Sequence, residues 1–185
     1  AHIQLNAVRN NLDAEIETAQ AIGQRYIVVP SLPADERSLA DYQGHAETLN
    51  RAGERARSAG IKLGYHNHIF EYELTDGRIP YDVLLEETEA ELVDMELDLY
   101  WIRNAGVDQT PYFDKHPGRF TMLHVKDMNR DGAMVDVGRG EIDFSEIFSH
   151  QQRAGFRHFF VEHDTPGDGL ASVAYSINTL RNLAY

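Results

Sequence analysis

Residues 58–68 read Ser58-Ala59-Gly60-Ile61-Lys62-Leu63-Gly64-Tyr65-His66-Asn67-His68, and this stretch holds one architectural unit in miniature. Ser58-Ala59-Gly60 reads as a helix end, with a glycine able to take positive φ. A β-strand follows at once. Side chains alternate along a strand, so the apolar Ile61, Leu63 and Tyr65 share the face that meets surrounding helices. Gly64, His66 and His68 then share the other face, and two histidines leave the strand's C-terminal end pointing inward.

The same unit recurs on both sides. Candidate strands are His2 to Leu5, Tyr26 to Pro30, Ile61 to His66, Leu92 to Asp98, Phe120 to Val125 and His158 to Glu162. Helical patterns lie between them, as βα units feeding a parallel sheet require. From Leu12, Ile16, Ala19 and Ile22 recur at helical spacing, with Asn10 or Asn11 as a cap and Gly23 as the stop. Arg153-Ala154-Gly155 repeats that punctuation before His158. Asp143 opens a further helix with Glu146 three residues on, as in a capping box. Strand starts recur about every ~30 residues, and a closed eight-unit barrel takes ~250. The 185 residues therefore predict one α/β domain over 1–185, a TIM (β/α) barrel of about six units lacking the N-terminal two. The competing fold is an open doubly wound sheet. The chain opens on a strand without methionine or leader, as expected of a truncated or proteolysed fragment.

Composition narrows the chemistry. Thirty acidic against seventeen basic residues give a formal charge of -13, which repels nucleic-acid backbones and anionic membranes. No apolar run approaches the ~18 residues of a membrane span, and no secretion signal is visible. A cytoplasmic location is expected, with the periplasm as the alternative. There are no cysteines, so thiolate zinc sites and cysteine nucleophiles are excluded. A metal would be held by His, Asp and Glu, which suits Mn, Mg, Co or Zn.

Parity on the later strands supplies such ligands. Val93, Met95 and Leu97 face the helices, which places Glu96 and the terminal Asp98 inward. Met122, His124 and Lys126 share the inner face of the next strand. Glu162 follows the run His158-Phe159-Phe160-Val161 on the face of Phe160 and Asp164. Burying such groups unpaired costs several kcal/mol each, so a bound cation is the economical reading. The alternative is a solvated rim of unrelated polar residues. Two carboxylates and two imidazoles, Asp98, Glu162, His66 and His124, also suit a catalytic metal with an open position for substrate.

Gly64-Tyr65-His66-Asn67-His68-Ile69-Phe70-Glu71-Tyr72, Glu96-Leu97-Asp98-Leu99-Tyr100-Trp101, His124-Val125-Lys126-Asp127-Met128, Val137-Gly138-Arg139-Gly140-Glu141-Ile142-Asp143-Phe144 and Val161-Glu162-His163-Asp164 together resemble the sugar phosphate isomerase/epimerase family of xylose isomerase-like barrels. The resemblance runs nearly end to end and corresponds to strands three through eight. It implies a divalent metal held at four strand ends by Glu, Asp, His and Glu. Asp98, His124 and Glu162 match the last three, and His66 stands where epimerases place the first glutamate. Losing that glutamate weakens a two-base epimerisation, although Glu71 could substitute for it. The His-Asn-His strand is similar to the branch with inosose dehydratases and keto-sugar lyases.

The resemblance therefore implies a metal-dependent isomerase or epimerase on a sugar, sugar phosphate or keto-sugar, working through an enediolate, with a lyase as the alternative. Glu162, His66, His68 and Lys126 are the expected catalytic residues, and His68, Glu71, Trp101 and Lys126 the expected substrate contacts. An endonuclease IV-like DNA-repair enzyme is disfavoured by the charge and by Trp101, which stands where a second-metal histidine belongs. A silent sugar-binding barrel is disfavoured by the retained ligands. The expected partner is a small sugar, with self-association through an exposed sheet edge. Gly138 and Gly140 predict a tight loop, and His2, His45, His116, His150 and His158 read as surface or core histidines.

Overall fold

The chain starts with a single parallel bridge, not with the strand expected over His2 to Leu5. Ile3 N donates to the carbonyl of Val28 and Val28 N to that of Ala1, both at 2.8 Å, and His2 alone is paired. Leu5 already begins helix α1 (Leu5–Asn10). The reason is spacing: Leu5 and Val8 lie one turn apart and both are buried, which a strand's alternation would forbid. The computed structural model describes residues 1–184, in two units, Ala1–Glu96 and the stretch from Leu97.

In the first unit, α1 is followed by α2 (Leu12–Ala21), β1 (Tyr26–Val29), α3 (Leu39–Ser58), β2 (Lys62–His66), a 3-10 turn at Phe70–Tyr72, α4 (Pro80–Glu87) and β3 (Val93–Asp98), the last continuing into the second unit. Helix α2 begins and stops where the sequence predicts, although Asn11 makes no side-chain cap and Asn10 turns back to Asn6. Strands β1, β2 and β3 are parallel neighbours in that order, with Tyr65 opposite Met95 and His66 opposite Glu96. Helix α3 opens on a capping box in which Asp41 N donates to Ser38 Oγ and Ser38 N to the Asp41 carboxylate. It then buries Tyr42, Ala46, Leu49, Ala52 and Ala56, one stripe at three- and four-residue spacing. Gly53 belongs to this face for a steric reason, since a Cβ there would lie 2.6 Å from the carbonyl oxygen of Leu92.

The second unit holds α5 (Leu99–Asn104), α6 (Thr110–Lys115), β4 (Met122–Val125), a short antiparallel ribbon of β5 (Asp127–Met128) and β6 (Met134–Val135), then α7 (Phe144–Ser149), α8 (Gln151–Ala154), β7 (His158–Val161) and α9 (Gly169–Arg181). β4 and β7 pair in parallel, with His124 opposite Phe160 and Val125 opposite Val161. Phe113 packs edge-on against Phe120 and Phe156, with ring centroids 5.3 and 5.2 Å away. Helix α8 ends on Gly155 at φ 93°, and Asp143 accepts from Glu146 N at 3.0 Å, both as expected. Among the described residues, no helix is long and apolar enough to cross a membrane.

Candidate metal centre

Asp98 ends β3 and caps α5, and the two jobs divide its oxygens. Oδ1 accepts from Tyr100 N at 3.0 Å and Trp101 N at 3.1 Å, satisfying amides that a helix start leaves unpaired. Oδ2 is thereby aimed away from the helix, 3.7 Å from His124 Nδ1 and 3.2 Å from Lys126 Nζ. The carboxylate has no solvent exposure.

His124 and Lys126 share one face of the β4 segment, as their parity predicts. His124 Nδ1 lies 2.6 Å from Glu162 Oε2, and Lys126 Nζ lies 3.0 Å from the same oxygen and 2.8 Å from Asp164 Oδ1. Glu162 stands one residue beyond β7. Its contact with His124 holds the carboxyl down at about 2, burial opposing and Lys126 assisting. Burial works against the Lys126 ammonium, but Asp98, Asp164 and Glu162 outweigh it and raise its pKa.

Asp98 Oδ2 and Glu162 Oε2 each approach His124 Nδ1, and oxygen and nitrogen donors of these types suit a divalent ion. Bonds of ~2.1 Å separate neighbouring ligand atoms by roughly 3 to 3.5 Å. The 3.7 Å between Asp98 and His124 lies just above this range and would close slightly, and the 2.6 Å between His124 and Glu162 would open by under ~1 Å. The residues present fit the group.

In the first unit, His66 is buried at the end of β2, and its Nδ1 lies 3.1 Å from the carbonyl oxygen of Pro30. A carbonyl can only accept, so Nδ1 is the donor in this contact. The His66 and His68 rings meet edge to face with centroids 4.8 Å apart, and His68 stacks on Phe70 at 5.6 Å. Arg37 covers Phe70, with its guanidinium carbon 3.3 Å from the ring centroid. Glu71, a candidate for substrate contact and for the first metal ligand, is fully buried. Its oxygens accept from Tyr65 OH at 2.5 Å and from His68 N at 2.8 Å. In this arrangement its work is to hold the turn that carries His68.

Burial lifts the Glu71 carboxyl to about 7, although Tyr65 and the His68 amide pull the other way. A carboxyl raised on folding binds more protons folded than unfolded, so stability falls as pH rises between the unfolded value of about 4.5 and the folded value of about 7. The expected loss across that window is ~3 kcal/mol. Urea unfolding from pH 4.5 to 8 should show this slope and Glu71→Gln should flatten it. An equal slope in both proteins would exclude Glu71 as its source.

The sequence reading passed over three groups. His2, taken for a surface or core histidine, has Nε2 2.6 Å from Glu96 Oε2. Glu96 had inward parity but no role. Asp164 had a rim position and turns out to hold Lys126. Asp127 is fully buried and accepts from Met128 N, Gly138 N, Gly140 N and Ile142 N, at 2.8, 2.8, 2.9 and 3.2 Å. The tight loop expected at Gly138 and Gly140 is therefore wound around Asp127. A Cβ on Gly140 would lie 2.2 Å from Asp127 Oδ1, so that position admits only glycine. Trp101 is half-buried on α5, its ring edge-on to Tyr100 at 4.9 Å.

These strand-end residues sit in a chain that matches one family profile, the Xylose isomerase-like TIM barrel, over residues 3–183. The chain belongs to the xylose isomerase-like TIM barrel family. Membership decides for the barrel over the open doubly wound sheet. A sugar phosphate isomerase/epimerase from Parabacteroides distasonis superposes with a TM-score of 0.84 at 26% identity, over 97% of this chain and 68% of that one. An inosose dehydratase from Geobacillus thermodenitrificans is 28% identical over 131 residues, 61% of this chain and 43% of that protein. The chain thus spans less than half the length of the curated relatives it matches. The IOLI protein, solved with a zinc atom, shares the fold at a TM-score of 0.75 and 16% identity.

Proposed function

We propose that this xylose isomerase-like chain contributes the metal centre of a dehydratase acting on inosose or 3-keto-sugar substrates. The observation that carries the reading is the convergence of Asp98 Oδ2, His124 Nδ1 and Glu162 Oε2 beside the Lys126 ammonium. The histidine at His66 supports a lyase over an epimerase, because a two-base epimerisation needs a carboxylate where His66 stands. Relatives named inosose dehydratase support the same branch.

Asp98, His124 and Glu162 would hold the ion. A divalent ion there supplies Lewis-acid polarisation of a carbonyl. We assign the proton taken from carbon to Glu162, whose carboxylate lies 2.6 Å from His124 Nδ1. As the C–H bond breaks, its electron pair forms the enediolate. The carbon–carbon double bond then forms as the β-hydroxyl leaves, taking the proton back and departing as water. Lys126 contributes positive charge to the oxygen that becomes anionic.

The test is incubation of the metal-loaded chain with an inosose in D2O. Deuterium uptake at the α-carbon together with enone absorbance is the expected result. Exchange without enone would favour the isomerase or epimerase reading, which the Parabacteroides neighbour supports. Absence of both would overturn the catalytic proposal for this chain.

A further inference from the structure

Lys126 touches the same two oxygens that the metal reading needs. Its Nζ lies 3.2 Å from Asp98 Oδ2 and 3.0 Å from Glu162 Oε2, so an ammonium and a divalent ion placed there would repel each other at close range. A third carboxylate resolves the conflict. Asp164 Oδ1 lies 2.8 Å from Nζ, the shortest of the three contacts. Asp164 is also held from a second direction, since its backbone N–H points at Met134 Sδ on the β5–β6 ribbon, 3.2 Å away. The ammonium, nearly buried, cannot swing out to water without losing these partners.

We infer that Asp164 is a positioning residue that draws Lys126 off Asp98 and Glu162 when a divalent ion binds, so that one site holds both cations. The inference rests on the metal reading above. With Asp164 present, the ion displaces Lys126 from two carboxylates and leaves it a third. Without Asp164, the ion must displace an ammonium that has nowhere else to go. Lys126 then becomes an internal competitor of the metal, and metal affinity becomes the quantity that reports the arrangement.

The experiment is calorimetric titration of Mn2+ alone into the full chain and into Asp164→Asn, Asp164→Glu, Lys126→Met and the Asp164→Asn/Lys126→Met double variant, with circular dichroism confirming the fold of each. Asp164→Asn should weaken Mn2+ binding by roughly threefold to tenfold, and Lys126→Met should tighten it by a similar factor. In the Lys126→Met background, Asp164→Asn should change affinity by less than about twofold, because the pair's coupling is already gone. Asp164→Glu should restore most of the loss. Unchanged affinity in Asp164→Asn overturns the inference. So does an equal loss with and without Lys126, which would make Asp164 a direct ligand or a distant charge. Failure of the wild-type chain to bind Mn2+ or Zn2+ would overturn the metal reading itself, whereas tight wild-type binding with either adverse result overturns this inference alone.

Discussion

Asp98→Asn is expected to abolish stoichiometric metal binding while leaving the chain folded. The substitution keeps Oδ1 as an acceptor for Tyr100 N and Trp101 N, so the start of α5 survives. What changes is the other position. Oδ2 becomes an amide group, placed 3.2 Å from an ammonium and 3.7 Å from His124 Nδ1, where a donor meets a cation instead of accepting from it. The charged ligand that is lost is itself wholly shielded from solvent. Loss of one ligand together with its charge should weaken binding at least ~100-fold, on the scale that even supporting groups around metal sites command. Glu162→Gln should act in the same direction but less strongly, because that side chain is 43% exposed and water can replace it. Elemental analysis after dialysis decides the matter. About one divalent ion per wild-type chain and far less than one in Asp98→Asn would support the centre. Equal metal content in both would remove Asp98 from it.

Asp127→Ala is expected to cost about 3 to 5 kcal/mol of stability, more than any other single change at this end of the second unit. Four backbone N–H groups converge on one carboxylate that is wholly buried. Each buried donor left without an acceptor costs ~1–3 kcal/mol, and the sum is held down only where water enters or the loop relaxes. Asp127→Asn should cost less, since it retains one acceptor oxygen but turns an amide toward two of the donors. Gly140→Ala should approach Asp127→Ala by a different route, because the added carbon displaces the carboxylate oxygen 2.2 Å away. Urea unfolding gives the midpoints. A loss below ~1 kcal/mol for Asp127→Ala would mean that the loop finds other acceptors. Because the loop follows β4, Asp127→Ala should also loosen the segment that carries His124 and Lys126, and metal affinity should fall with stability.

The strand ends were legible because alternation is a local property. Two-residue periodicity places Asp98, His124 and Lys126 on inner faces whatever the neighbours are; the observed β3 and β4 carry Asp98 and His124, and Lys126 follows one residue beyond β4. Helix stops at Gly23, Gly60 and Gly155 were legible for the same kind of reason, since positive φ is a property of a single residue. His2 to Leu5 misled because a run of four residues fits either period. The burial of Leu5 and Val8 chose the helix.

Pairings between residues distant in sequence were not legible. His2 meets Glu96 across 94 positions, and Asp164 meets Lys126 across 38. No local pattern announces either contact. Glu71 shows the limit most clearly. Its place after the His-Asn-His strand suggested a ligand or a substrate contact, yet Tyr65 OH and the His68 amide take both of its oxygens inside the protein.

By itself the sequence determined the βα rhythm, the inner-facing carboxylates and imidazoles, and a donor set without thiolates, because periodicity and residue chemistry are written in the chain order. Only the tertiary structure decided where the oxygens of those groups are spent. Asp98 spends one on a helix start, Asp127 spends both on a loop and Glu71 spends both on a turn, and hydrogen-bond partners of that kind are chosen by the fold.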